Sequence, residues 1–346
     1  MPELILHHYP NSPFAEKVRL ILGYKGLAWR SVMIPTILPK PDLVALTGGY
    51  RKTPVLQIGA DIYCDTALIA QVLEQHQPQP TLYPASAPLA PLLAQWADST
   101  LFWPSVTWAL QPAGAAVMFD NPPPEVMKAF AVDRAAMGGG MRRATLADGT
   151  VQLKALLQAL DAQLQAQQAA GAACLLGAAP SIADFAVAHP LWFIRRAAPV
   201  AHILAPYAAL SAWLDRILAI GHHHSTRLSG ADAVALAAAT PQHAPVSVLP
   251  GLGFEAGQAV TVNATDYGLD PVAGTLVGLT PDSVVLQRTD ARAGLLQVHF
   301  PRMGFQIKKE VSAGVISKAA QRCSPVRRLA SGWRWRASRR LRACTS

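Results

Sequence analysis

Cysteine is scarce in this sequence: 346 residues contain four, Cys64, Cys174, Cys323 and Cys344. None forms a C-x-x-C pair, and their spacing fits neither a metal-ligand set nor a disulfide framework. We therefore expect reduced thiols and no metal site. Long apolar runs are also missing, since no stretch approaches the roughly 18 residues of a membrane helix. With no basic segment followed by a long apolar stretch at the N-terminus, we expect no signal peptide, no membrane association and a cytoplasmic location.

Acidic residues are absent from 311–346, which carry nine Lys and Arg. The whole chain has 30 basic and 21 acidic side chains, a formal charge of +9, so the rest is balanced at 21 of each. The basic character belongs to this tail, which we expect to be disordered because it has little regular apolar patterning. Trp333 and Trp335 in the tail could contact nucleic acid or an anionic membrane, but we favour a solvated appendage.

The segment 4–26 combines a short apolar strand, a turn and an amphipathic helix. Ser12 is a preferred N-cap, and Pro13 suits the first helical position. A helix that starts at the end of a strand presents free N–H groups and a positive dipole end. The segment can therefore hold an anion.

Residues 12–19 (SPFAEKVR) resemble the start of the first helix in cytosolic glutathione transferases, especially the omega-like branch, which has a cysteine in place of Ser12. The resemblance implies a thioredoxin-like α/β domain, an all-helical domain, glutathione as co-substrate, no metal and a homodimer. It also implies that Ser12 stabilises the glutathione thiolate, because serine cannot form the mixed disulfide. Ser12 could instead only cap its helix, and Tyr9 or Asn11 could take over the donor role.

Residues 53–64 predict a β-hairpin, and TPVL at 53–56 resembles the family's cis-proline loop. The resemblance implies that Pro54 is cis and that the backbone of Val55 pairs with the cysteinyl part of glutathione. The local residues alone fit a trans proline at a strand edge. Lys52 could pair with the glycyl carboxylate or be a solvated lysine.

Asp65 and Thr66 open the next helix and are both good N-caps. The resemblance implies that Thr66 binds the γ-glutamyl carboxylate and Asp65 the ammonium. The family more often has an acidic residue followed by Ser here, and the short Asp side chain weakens the expected ammonium contact. Cys64 is adjacent, and we expect it to be a buried apolar group rather than a redox thiol.

Alanine- and leucine-rich segments over 88–240 predict an all-helical domain with helices near 88–117, 123–145, 149–169, 181–196, 206–220 and 229–238. Ser181 and Asp184 form a capping box, which we expect to support the fold. Trp96, Thr100, Trp103 and Thr107 share one helical stripe, which is either core or a wall of the electrophile pocket. We expect the histidines at 222–224 to form a loop or helix-end cluster rather than a metal site.

The pattern becomes strand-like after 246, with five candidate strands at 259–264, 274–279, 283–287, 295–300 and 305–308. We expect a small β-barrel-like domain that is too small to be stable alone and packs on the helical domain. Ordinary glutathione transferases lack it, so the family pattern ends here.

The predicted organisation has four parts: a thioredoxin-like glutathione-binding domain (1–78), an all-helical domain (88–240), a small β-barrel-like domain (246–310) and a basic tail (311–346). The predicted function is conjugation of the glutathione thiolate to a small hydrophobic electrophile. The alternative is a non-catalytic binding or scaffold protein that keeps the transferase fold.

Overall fold

A sheet of ten strands runs through the computed structural model, which describes residues 3–240 and 242–310. In chain order the strands are β1 (Ile5–His8), β2 (Trp29–Met33), β3 (Val55–Ile58), β4 (Asp61–Cys64), β5 (Ser225–Arg227), β6 (Ala259–Ala264), β7 (Val272–Leu279), β8 (Ser283–Asp290), β9 (Gly294–Pro301) and β10 (Phe305–Lys309). Across the sheet their order is β10-β6-β7-β8-β9-β4-β3-β1-β2-β5.

The helices pack on both faces of the N-terminal strands. They are α1 (Pro13–Tyr24), α2 (Pro41–Thr47), α3 (Thr66–His76), α4 (Ala90–Trp96), α5 (Phe102–Ala109), α6 (Pro112–Met118), α7 (Pro124–Gly138), α8 (Leu146–Ala169), α9 (Ile182–Arg196), α10 (Ala208–Leu218) and α11 (Gly230–Ala238). A π-helical segment (Ala97–Leu101) joins α4 to α5, and a 3-10 segment (Ala198–Leu204) precedes α10.

The N-terminal strands are buried on two faces. Leu6 and Leu56 belong to the core shared with α1, α3 and the helical domain, whereas Ile5 and Val55 belong to a second core with α2 and the C-terminal strands. This division follows from the alternation of side chains along a strand. Strand β1 is parallel to β2 and antiparallel to β3, which is antiparallel to β4. The predicted thioredoxin-like unit is confirmed.

The helical domain follows the prediction with two differences. The predicted helix 88–117 is divided into α4, the π-helical segment, α5 and α6, and the predicted helix 123–145 ends earlier, at Gly138 of α7. Pro112 has no N–H to continue α5 and instead starts α6. The predicted capping box is present: the Asp184 carboxylate accepts bonds from Ser181 N at 2.9 Å and Trp213 Nε1 at 3.0 Å. Its geometry fits the predicted role in supporting the fold.

The five C-terminal strands predicted as a small β-barrel-like domain are present, and they extend the sheet of the N-terminal strands, which the sequence did not indicate; they are called the β extension below. Strand β9 runs parallel to β4, with Asp61–Tyr63 opposite Gln297–His299. The expectation that this region packs on the helical domain was incomplete: the extension does contact α11, but its strand pairing is with β4, which presents an edge of unpaired backbone groups that another strand can complete. Strand β10 leaves β9 after a turn at 302–304 and pairs with β6, so the five strands curl over α2 and α11.

Three other points bear on the predictions. Strand β5 was missed because its three residues are exposed and polar at the sheet edge.

The predicted basic tail, 311–346, lies outside the described residues, and the four domain boundaries stay a prediction. No helix within 3–240 or 242–310 has both the length and the hydropathy to cross a bilayer.

Candidate functional site

The three segments predicted to hold glutathione lie on one side of the sheet, where β1 and β4 end and β3 begins. His7 of β1 is opposite Val55, and Val55 is opposite Cys64 at the end of β4. Because β3 is antiparallel to both neighbours, its start lies beside their ends. Helices α1 and α3 follow β1 and β4, so their starts lie at this edge too. The fold thus brings Ser12, Val55 and Thr66 to the same side of the molecule.

Ser12 caps α1 in a way that leaves its hydroxyl hydrogen available. Its Oγ accepts a hydrogen bond from Ala15 N at 3.2 Å. A serine hydroxyl that accepts through its lone pairs still has one O–H to donate. The residue is 2% exposed and lies at the positive end of the helix dipole. Capping and donation to an anion are therefore compatible.

The other two candidate donors of this turn differ from each other. Asn11 Nδ2 donates to Met118 O at 2.7 Å, and its Oδ1 accepts from Arg196 at 2.9 Å, so its amide is engaged on both sides. Burial raises the pKa of the Tyr9 phenol, which lies beside the Ser12 hydroxyl. A protonated phenol can donate, so Tyr9 is the second donor available in this turn.

The start of α3 presents one acidic group and one hydroxyl. Asp65 has φ 77°, an uncommon conformation outside glycine, and its carboxylate accepts from Ala67 N at 2.9 Å. Burial raises the pKa of Asp65, so a bound ammonium group would stabilise its charged form. Thr66 Oγ1 accepts from Lys17 Nζ at 3.2 Å, which leaves the threonine O–H free to donate.

Lys17 connects this helix start to the helical domain. Its ammonium lies 2.5 Å from Asp98 Oδ2, and Asp98 Oδ1 lies 2.9 Å from His189 Nε2. Burial alone would raise the pKa of Asp98, but Lys17 and His189 hold it below its usual value. The three side chains form a buried network behind Thr66, which the sequence analysis did not identify.

The predicted proline loop lies between α2 and β3. The Thr53–Pro54 peptide is cis, as the resemblance predicted. Lys52 is not a fully solvated lysine: its Nζ lies 3.2 Å from Asp266 Oδ1. Asp266 lies between β6 and β7. The β extension therefore reaches a predicted site residue.

Arg51, next to Lys52, is also paired with carboxylates. It lies 2.8 Å from Asp133 of α7 and 3.0 Å from Asp270 of the β6–β7 loop. Helix α7 and the β6–β7 loop thus meet at this part of the N-terminal domain. Gly268 N donates to Met137 O at 2.8 Å and joins the two covering segments directly.

Lys40 is a buried cation that the sequence analysis missed. It is 3% exposed, and its Nζ donates to Arg51 O at 3.3 Å and to Thr53 Oγ1 at 3.5 Å. Both partners are neutral oxygens, and burial lowers the pKa of Lys40 to about 8. Its ammonium also lies 5.8 Å from the Tyr9 ring centroid. The sequence signal that could have identified Lys40 is a charged residue between two prolines, at 39–41.

A pocket of about 330 Å³ has Thr100, Trp103, Thr107 and Arg143 among its lining residues. The Trp103 ring lies 5.2 Å from that of Tyr267, the neighbour of Asp266. Three of the four residues of the predicted stripe thus line a pocket, while Trp96 packs against the main core.

Comparisons with known proteins agree with this geometry. The chain matches the family models of the glutathione S-transferase N-terminal domain over residues 6–81 and the C-terminal domain over residues 132–216. A GST-like protein from Pseudomonas syringae, solved by crystallography, is 44% identical, with a TM-score of 0.72 over 90% of this chain and 100% of that chain. The chain belongs to the glutathione transferase-like family.

A fold relative is more distant. Glutathione transferase GSTFuA3 from Phanerochaete chrysosporium is 19% identical, with a TM-score of 0.50 over 63% of this chain and 97% of that one. Comparison with curated proteins returns no match. The P. syringae protein covers more of this chain than 1–245 could supply, so the likeness extends into the β extension.

Cys64 and His222 are two further residues of this glutathione transferase-like chain that the sequence analysis discussed. Cys64 is fully buried, and burial raises the pKa of its thiol well above the usual value, so it fits the predicted apolar role. His222 Nε2 lies 3.0 Å from Glu16 Oε1, in the turn that follows α10. Within the described ranges no group of three or more metal-ligating side chains was found.

Proposed function

We propose that this chain is a glutathione-dependent transferase that binds glutathione across the starts of α1, β3 and α3. In this arrangement Thr66 holds the γ-glutamyl carboxylate and Asp65 its ammonium. The start of β3, at Pro54 and Val55, lies against the cysteinyl residue, and Lys52 and Lys40 attract the glycyl carboxylate. The observation that carries the proposal is the convergence of Ser12, Val55 and Thr66 at one sheet edge.

Lys40 supports the anionic character of the ligand. A buried ammonium whose partners are neutral oxygens is stabilised when a carboxylate approaches, because opposite charges attract strongly in a low-dielectric setting. Membership of a family that binds glutathione points the same way.

The thiolate is stabilised by Ser12 in this proposal. Lowering a thiol pKa by two units requires about 2.7 kcal/mol of preference for the charged form. A helix N-terminus supplies about 0.3–1 kcal/mol, and a hydrogen bond to a charged group about 1.5–3 kcal/mol. The two together supply about 1.8–4 kcal/mol, a range that includes this requirement.

The electrophile in this proposal occupies the pocket lined by Trp103 and Arg143. Its aromatic wall suits a small hydrophobic compound. We further propose a cytoplasmic homodimer. The dimer rests on the family resemblance, and the cytoplasmic location rests on the free, buried Cys64 and Cys174.

The test is a Ser12→Ala variant titrated with glutathione. We expect the pKa of the bound thiol to rise by about one to two units, because a charge-assisted donor is lost, while affinity changes little. Thiolate absorbance in the ultraviolet measures the pKa, and calorimetry measures affinity.

The matched control is Ser229→Ala, which also removes an N-cap because Ser229 Oγ accepts from Asp232 N at 3.0 Å. This control should lose a similar amount of stability without shifting the thiol pKa. An unchanged titration in Ser12→Ala would transfer the donor role to Tyr9.

A second candidate function is a non-catalytic binding or scaffold protein with this fold. The observation that favours it is the pairing of Arg51 and Lys52 with carboxylates of this same chain. Retention on immobilised glutathione without turnover of an aryl halide would support the second candidate over the transferase.

A further inference from the structure

The β6–β7 loop, residues 265–271, contacts three separate parts of the chain, and the proposed transferase reaction does not explain these contacts. Asp266 pairs with Lys52 of the N-terminal domain. Tyr267 packs its ring edge against Trp103 of α5 at 5.2 Å. Gly268 is hydrogen-bonded to the end of α7.

The loop fits closely around Lys52. Gly268 has φ +65°, and a Cβ added there would lie 3.1 Å from Lys52 Cγ and 3.2 Å from Met137 Cε. On its other side the Lys52 ammonium lies 5.3 Å from the Phe305 ring centroid. The extension therefore surrounds Lys52 with one carboxylate and one aromatic ring.

Among the ion pairs of this region, the Lys52–Asp266 pair is the one in which a ligand can replace the carboxylate. Its side chains are 19% and 62% exposed, whereas Arg51 is 9% exposed and shared by Asp133 and Asp270. Exposed ion pairs contribute little because water solvates the separated charges well. A ligand carboxylate can therefore take the place of Asp266 at small cost, while the Arg51 contacts persist.

We infer that Asp266 is a specificity-determining residue that discriminates γ-glutamyl thiols by the charge at their glycyl end. A thiol with a free glycyl carboxylate displaces Asp266 from Lys52 and binds more weakly than it would without this competitor. A thiol whose glycyl end is neutral leaves the pair intact. The inference rests on the proposed glutathione site and adds to it the role of the β extension.

The test uses the full chain and two ligands, glutathione and glutathione esterified at its glycyl carboxylate. Asp266→Asn removes the charge but keeps an oxygen to accept the 2.7 Å bond from Tyr267 N. We expect glutathione to bind about two- to fivefold more tightly, the size of an exposed ion pair, and the ester to bind unchanged. Calorimetry measures both dissociation constants.

Two further variants serve as controls. Asp282→Asn changes an exposed aspartate in the β7–β8 turn of the same extension and should alter neither affinity. In a Lys52→Gln background the effect of Asp266→Asn on glutathione should disappear, because the contested ammonium is absent.

The outcomes separate this inference from the proposed function. If wild-type binds glutathione and Asp266→Asn binds it equally, the inference is wrong and the glutathione site stands. Equal tightening for both ligands also overturns it, since that indicates a loosened loop rather than a carboxylate competitor. If no variant binds either ligand, the proposed function fails and the inference fails with it.

Discussion

Two cation–carboxylate pairs flank the proposed glutathione site, and they differ in burial. On the γ-glutamyl side, the side chains of Lys17 and Asp98 are 1% and 14% exposed. On the glycyl side, those of Lys52 and Asp266 are 19% and 62% exposed. Removing one partner of a buried pair leaves an unsolvated charge, whereas an exposed pair exchanges its partners for water. The same chemistry thus supports the fold on one side and is available to a ligand on the other.

The comparison is tested most directly by the same substitution at both acids. Asp98→Asn should lower the free energy of unfolding by about 3–5 kcal/mol, because it leaves the Lys17 ammonium buried without its counter-charge. Denaturant titration followed by circular dichroism measures this value. A decrease in the free energy of unfolding below about 1 kcal/mol would mean that the difference in burial does not make the Lys17–Asp98 pair more important for stability than the Lys52–Asp266 pair.

Lys40 sharpens the comparison because it is buried like Lys17 but donates its hydrogen bonds to neutral oxygens. Lys40→Met should weaken the binding of S-methylglutathione by about 10- to 100-fold, the contribution of a hydrogen bond to a charged group. S-methylglutathione has no ionisable thiol, so the change in affinity measured by calorimetry reports the loss of the Lys40 ammonium alone. Lys308→Met, at an exposed lysine of β10, is the control and should leave affinity unchanged.

The pH dependence of Lys40 gives a second readout of the same variant. Its folded pKa of about 8 lies below the ordinary 10.5, so between these values the folded chain binds fewer protons than the unfolded chain. Stability should therefore rise with pH through this window, and affinity for S-methylglutathione should fall above about pH 8. Both trends should be absent from Lys40→Met; their persistence would assign them to another group.

The smallest effect is expected at the exposed acid. Asp266→Asn should change the free energy of unfolding by less than about 1 kcal/mol, since both charges of its pair are accessible to water. The denaturant titration used for Asp98→Asn measures it under identical conditions. A loss as large as that of Asp98→Asn would show that the β6–β7 loop is structural rather than exchangeable.

Local sequence signals predicted much of the fold. The Ser12 cap, the Ser181–Asp184 box and the five C-terminal strands all depend on residues a few positions apart, and each is present. The predicted family is confirmed by a relative of 44% identity. A common site for Ser12, Val55 and Thr66 was implied by the family resemblance and not by any local signal.

The predictions failed where a contact joins distant parts of the chain. The β extension was assigned to the helical domain, although β9 completes the edge of β4. The exposed strand β5 has no apolar alternation that would reveal it. Lys40 was missed because its burial depends on the proline loop folding against it.

The sequence by itself determined which segments become helices and strands, how their ends are capped and which family the chain resembles. It did so because propensity, alternation and capping act over a few neighbouring residues. Tertiary structure alone decided which charges are paired and how deeply they are buried. Lys52 and Asp266 are 214 positions apart, and only the addition of the C-terminal strands to the sheet brings their charges together.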